Sequence, residues 1–141
     1  MKKITFLFTL SIIATMVIAQ NQVKPTCDNL KGTWKNELKS SLIIESIDQA
    51  TGQITGKYIS PSGAGTATFP LTGWVNDSTP MPKQDHAKVI SFTVRWGTIG
   101  RITSWTGVCE SDKIFTVWNL AMPNSGYTWD HLLTGSDTFK P

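Results

Sequence analysis

The sequence predicts an all-β domain, an eight-stranded antiparallel up-and-down (meander) β-barrel, on three observations. Turn-forming residues recur at short intervals, at Asp48–Gly52, Pro61–Gly65, Asn76–Ala87, Gly97–Gly100, Ser111–Asp112 and Pro123–Gly126. Between them lie short runs rich in Thr, Val, Ile, Phe, Tyr and Trp that alternate with a period of two. No window shows an apolar stripe at helical spacing, so no helix is expected. A length of 141 residues suits one domain. With 40% hydrophobic and 16% charged residues, the chain is too apolar to be disordered and too lightly charged for a coiled coil.

Residues 1–19 read as a secretory signal peptide. Lys2 and Lys3 precede an apolar run, Ile4 to Ile18, which exits on the small Ala19. That run is short for a bilayer span, and polar Gln20, Asn21 and Gln22 follow it, so a membrane anchor is disfavoured. The Lys-Lys start with a compact apolar core is of bacterial type. The barrel domain is then 20–141, with a secreted or periplasmic destination. The 13 Lys and Arg less Lys2 and Lys3 leave 11 basic against 10 acidic side chains, and no basic patch for nucleic acid.

The strands are expected near 32–38, 41–48, 53–60, 66–74, 89–96, 101–110, 113–121 and 130–139. Short connections make consecutive strands antiparallel neighbours. Eight such strands can close on themselves, which removes exposed edges and leaves room for packed side chains or one small ligand. The segment 76–87, with Pro80 and Pro82, is the longest loop. Alternation places Trp34, Asn36, Leu38 and Ser40 on one face of the first strand and its turn. It groups Ile54, Gly56, Tyr58 and Ser60 on the third, and Ile90, Phe92, Val94 and Trp96 on the fifth. Thr103 goes with Trp105, and Trp118 with Leu120. Trp34 reads as core and Trp74 as outward-facing.

In an antiparallel meander the ends of odd strands lie level with the starts of even ones. Asn36, Tyr58, Ser60, Trp96, Thr103, Trp105, Trp118 and Leu120 therefore gather towards one barrel mouth. Hydroxyls and an amide ringed by Trp are either hydrogen-bonded to each other or available to a polar ligand. In an exported chain the two cysteines, Cys27 and Cys109, read first as a disulfide, with two buried thiols as the alternative. They show no metal-ligand spacing with His86 and His131, which read as surface residues. Neither a nucleophilic triad with local support nor a phosphate loop occurs, so an enzyme is not expected.

Several segments, in order, resemble the avidin and streptavidin family. They are Gly32-Thr33-Trp34-Lys35-Asn36-Glu37-Leu38, Gly56-Lys57-Tyr58-Ile59-Ser60, Pro70-Leu71-Thr72-Gly73, Phe92-Thr93-Val94-Arg95-Trp96, Trp105-Thr106-Gly107-Val108-Cys109, Trp118-Asn119-Leu120, and Trp129 followed by Gly135-Ser136-Asp137-Thr138-Phe139. The match covers nearly all of 27–140. The resemblance implies non-catalytic binding of biotin as a ligand, with no cofactor. By similarity Asn36, Ser40 and Tyr58 would donate to the ureido oxygen, and Ser60 and Asp137 would accept from its N–H groups. Thr103 would meet the sulfur, with Trp96, Trp105, Trp118 and Leu120 against the rings, and Leu38 would be a further binding residue. Ser62, Gly63 and Ala64 would belong to a lid, Pro61–Gly65. Trp129 would close a neighbouring subunit's pocket, which implies a homotetramer. The resemblance also implies a Cys27–Cys109 bridge.

The sequence departs from the family pattern in places. Lys39 stands where relatives often have Gly. Ile99 and Arg101 replace two small hydroxyl residues at the ligand's carboxylate tail. Asn119-Leu120-Ala121 resembles a dimeric branch, which makes the dimer the runner-up assembly. Arg101 shares the inward face with Thr103 and is a candidate partner for the carboxylate; the alternative is that it extends into solvent or pairs with a nearby acid. Competing readings are a secreted small-barrel protease inhibitor, for which residues 20–26 make a short arm, and a lipocalin-like carrier of another small ligand.

Overall fold

Alternating side chains and tight turns produce the expected meander in the computed structural model, which describes residues 23–141. The proposed signal peptide lies outside the described residues. The strands are β1 (Gly32–Lys35), β2 (Ser41–Ile47), β3 (Gln53–Ile59), β4 (Thr68–Asn76), β5 (Lys88–Arg95), β6 (Ile102–Glu110), β7 (Lys113–Ala121) and β8 (Leu132–Phe139). Each pairs antiparallel with the next in one sheet. The sheet curls until its first and last strands meet: Lys35 N–H donates to the Lys140 carbonyl at 2.8 Å, and Lys140 N–H to the Lys35 carbonyl at 2.9 Å. A third bond crosses this seam, from Thr138 N–H to Glu37 Oε1 at 2.9 Å. The β2–β3 register shifts between Ile44 and Ser46. Such a bulge sharpens local twist and helps the sheet curl.

Two short turns of helix correct the expectation of none. α1 (Pro61–Ala64) is a single turn with Pro at its start, where a missing N–H costs nothing. The N–H groups of Gly63 and Ala64 both bond to the Ser60 carbonyl, at 3.2 and 2.8 Å. A 3₁₀ turn, Gly97–Ile99, joins β5 to β6. Among the described residues no helix is long and apolar enough to cross a membrane.

The core fills the barrel end opposite the α1 turn. Trp34, Leu42, Ile54, Ile114 and Phe139 are fully buried there. The segment before β1 seals that end: Leu30 is buried, and its carbonyl accepts from Trp34 Nε1 at 2.9 Å. The Cys27–Cys109 disulfide ties the segment to β6. Cys27 N–H donates to Asp112 Oδ1 at 2.9 Å, and Lys88 Nζ donates to the Cys27 carbonyl at 2.8 Å. As expected, Trp34 is core and Trp74 faces outward, more than half exposed.

Candidate ligand-binding site

The other barrel end is built from the last residues of odd strands, the first of even strands, and the connections between them. The first such connection is organised by Asn36. Its Oδ1 accepts from the Leu38 and Ser40 N–H groups at 3.1 and 2.8 Å. Those bonds stop β1 at Lys35, short of the expected 38. They also hold Lys39 at φ 62°, a conformation that glycine adopts more easily. Asn36 Nδ2 is then free to donate to Asp137 Oδ1 at 2.9 Å, across 101 positions of sequence.

Asp137 is the hub of the floor. Trp105 Nε1 donates to its Oδ2 at 2.8 Å, and Thr116 Oγ1 donates to its backbone carbonyl at 3.1 Å. A carboxylate offers about four acceptor positions. Asn36 and Trp105 occupy two, so the group keeps capacity for a donor arriving from the cavity. The polar cluster is thus hydrogen-bonded internally and still able to accept. Among the described residues no buried side-chain N or O lacks a partner.

Aromatic packing fixes the walls. Trp105 stacks on Phe92 with ring centres 4.9 Å apart, and Tyr58 lies 4.9 Å from the same Trp105 ring. Trp96 meets Tyr58 edge-on at 5.8 Å and Phe69 at 5.0 Å, while its Nε1 donates to Thr103 Oγ1 at 2.7 Å. Trp118 lies directly over Gly135, where any Cβ would collide with the indole. Burial pushes the Tyr58 phenol well above its usual range, with a hydrogen bond to the Ser40 hydroxyl acting in the other direction. The phenol therefore stays protonated and able to donate.

These groups enclose a cavity of about 190 Å³. Leu38, Ser40, Tyr58, Ser60, Gly63, Ala64, Trp96, Arg101, Thr103, Trp105, Trp118, Leu120 and Asp137, all singled out from the sequence, line it, together with Ile99. Asn36 stands behind the wall and acts through Asp137. Ser62 is exposed on α1 and does not reach the cavity. Trp129 stands away from its own chain's cavity, 73% exposed, stacked on Tyr127 with ring centres 4.9 Å apart. Sequence reasoning did not assign roles to Phe69, Thr116 or Glu37, which brace Trp96, Asp137 and the seam. Phe69 lies on the expected fourth strand, but nothing in its spacing pairs it with Trp96. His86 bonds to Asp77 at 2.8 Å, and His131 Nδ1 lies 2.7 Å from the Met122 carbonyl, both away from the cavity. Among the described residues no group of His, Cys, Asp and Glu is placed to hold a metal ion.

A sequence profile of the avidin family matches residues 24–141. The chain belongs to the avidin family. Its members bind biotin as a ligand and are not enzymes. Among solved structures the chain is similar to bradavidin, with 28% identity, a TM-score of 0.69 and 78% of each chain covered. It is similar to core-bradavidin at 28% identity and a TM-score of 0.65, covering 77% of this chain and 96% of that one. Xenavidin is 32% identical with a TM-score of 0.64, over 82% of this chain and 98% of the other. No curated protein matches it in sequence. The avidin fold accounts for the meander, and the cavity occupies the end where the family-like segments converge.

Proposed function

We propose that this avidin-family chain binds one biotin molecule per barrel in the cavity between Asp137 and the α1 turn. The observation that carries the reading is the floor itself. A carboxylate held by Asn36 and Trp105, with the Tyr58 phenol and the Ser40 hydroxyl beside it, offers acceptors and donors together at the base of a Trp-lined cavity. A cyclic urea needs that combination: its N–H groups donate while its oxygen accepts. Tyr58 and Ser40 donate to the ureido oxygen, and Asn36 orients Asp137 rather than lining the cavity. Asp137 and Ser60 accept from the N–H groups. Thr103 meets the sulfur, and Trp96, Trp105, Trp118, Leu38 and Leu120 cover the rings. α1 acts as the lid. Hydrogen bonds in so dry a site reinforce one another. The disulfide supports export to an oxidising compartment, secreted or periplasmic.

Titrating the protein with biotin while following tryptophan fluorescence tests the reading. Emission should change and saturate at one equivalent per chain, because three indoles line the cavity. An unchanged spectrum with no saturation would contradict it.

The assembly in this reading is a homotetramer in which Trp129 covers a neighbour's cavity. The exposed Tyr127–Trp129 stack supports it, since two large aromatic faces left in water favour a partner. Trp129→Lys should speed biotin release and reduce the assembly measured by light scattering. If both stay unchanged, Trp129 has no such role; a wild-type dimer would favour the smaller assembly.

A further inference from the structure

The rim of the cavity holds a cation that enters no ion pair among the described residues. After Trp96 the chain makes its 3₁₀ turn and leaves it through Gly100, in the left-handed conformation at φ 77° and ψ −1°. A Cβ at Gly100 would come within 2.9 Å of Pro123 Cγ, so only glycine fits this close crossing. Trp96 N–H donates to the Arg101 carbonyl at 2.9 Å and closes the loop. Arg101 thus re-enters the sheet on the inward face, two residues before buried Thr103, while Ile102 between them points outward at 44% exposure. Arg101 lines the cavity, and among the described residues no other lysine or arginine does. The ion pairs among the described residues are Lys57–Glu45, His86–Asp77 and Lys88–Asp77; Arg101 enters none. A second cleft beside it, shared with Ile99, Pro123 and Asn124, offers no acid among the described residues.

Charge then fixes the direction of a ligand that has a neutral polar ring at one end and a carboxylate at the other. The floor presents the Asp137 carboxylate, which repels a second anion. The rim presents a guanidinium, whose planar fork of N–H donors matches a carboxylate. We infer that Arg101 receives the carboxylate of biotin's tail, so that the site prefers the free acid to biotin joined through an amide. Ile99 beside it gives the tail's methylenes an apolar contact. This inference rests on the biotin reading and adds a selectivity to it. The rim is wet, so the preference is modest, about fivefold at low salt, and it shrinks as ionic strength rises.

The test is the ratio of affinities for biotin and biotin amide, measured on the full chain at low and high salt. The wild type should favour the acid about fivefold at low salt. Arg101→Gln should bring the ratio to about one, Arg101→Lys should keep part of it, and Arg101→Glu should reverse it in favour of the amide. A wild-type ratio near one, or the same ratio in Arg101→Gln as in the wild type, overturns the inference while leaving biotin binding standing. A wild type that binds neither ligand overturns both. Arg101 is exposed, so its variants are expected to fold, and matching thermal melts would verify that.

Discussion

The two ends of the barrel come from the same eight strands and the same alternation, yet they present different chemistry to the interior. At the closed end the inward positions are apolar throughout, and the segment around Leu30 plugs the opening. At the open end the inward positions become Asn36, Ser40, Tyr58, Thr103 and Asp137, with tryptophans between them, and a cavity remains. The contrast shows a division of work along each strand. Packing at the closed end supplies stability. The polar network at the open end is satisfied but not saturated, which is what a binding site requires.

Truncating one side chain at each end should separate the two roles. Trp34→Ala removes a fully buried indole and leaves the Leu30 carbonyl without its donor. It should lower stability by about 3–5 kcal/mol in denaturant unfolding. Leu38→Ala at the mouth removes a side chain that is 61% exposed. It should change stability by less than about 0.5 kcal/mol while weakening biotin. Equal losses of stability at both sites would dissolve the distinction.

A smaller effect comes from Tyr58. Burial raises its pKa in the folded chain above the unfolded value. The folded state therefore holds the proton more tightly, and this contribution is complete below about pH 10 and is lost as pH rises beyond it. Stability measured at pH 8 and pH 11 should fall more steeply in the wild type than in Tyr58→Phe. The chain's other tyrosine, Tyr127, is exposed and remains in both proteins as an internal reference. Identical slopes would mean that the phenol does not feel the barrel interior.

Period-two alternation made the strands legible in the sequence, and β7 matches its expected limits of 113–121. The fourth strand runs two residues later than expected because Val75 and Asn76 still pair with β5. α1 escaped notice because four residues cannot display a helical period, and Pro-Ser-Gly-Ala carries only turn signals. The residue types of the site were visible from alternation and the family-like segments, but its wiring was not. Asn36 and Asp137 meet only because the sheet closes on itself, and no local pattern says that the Asn36 amide is spent on Asp137 and on its own turn. Ser62, expected in the lid beside Gly63 and Ala64, is exposed on α1 and is not among the residues that line the cavity.

Asp137 joins the floor network to the ligand, so the decisive experiment is calorimetric titration of biotin into the wild type and Asp137→Ala. The wild type should bind one biotin per chain. Asp137→Ala should weaken that binding by about 2–4 kcal/mol, since a buried ligand N–H loses a charged acceptor. A difference below about 0.5 kcal/mol, well under the cost of leaving such a donor unpaired, would remove Asp137 from the site and contradict the account.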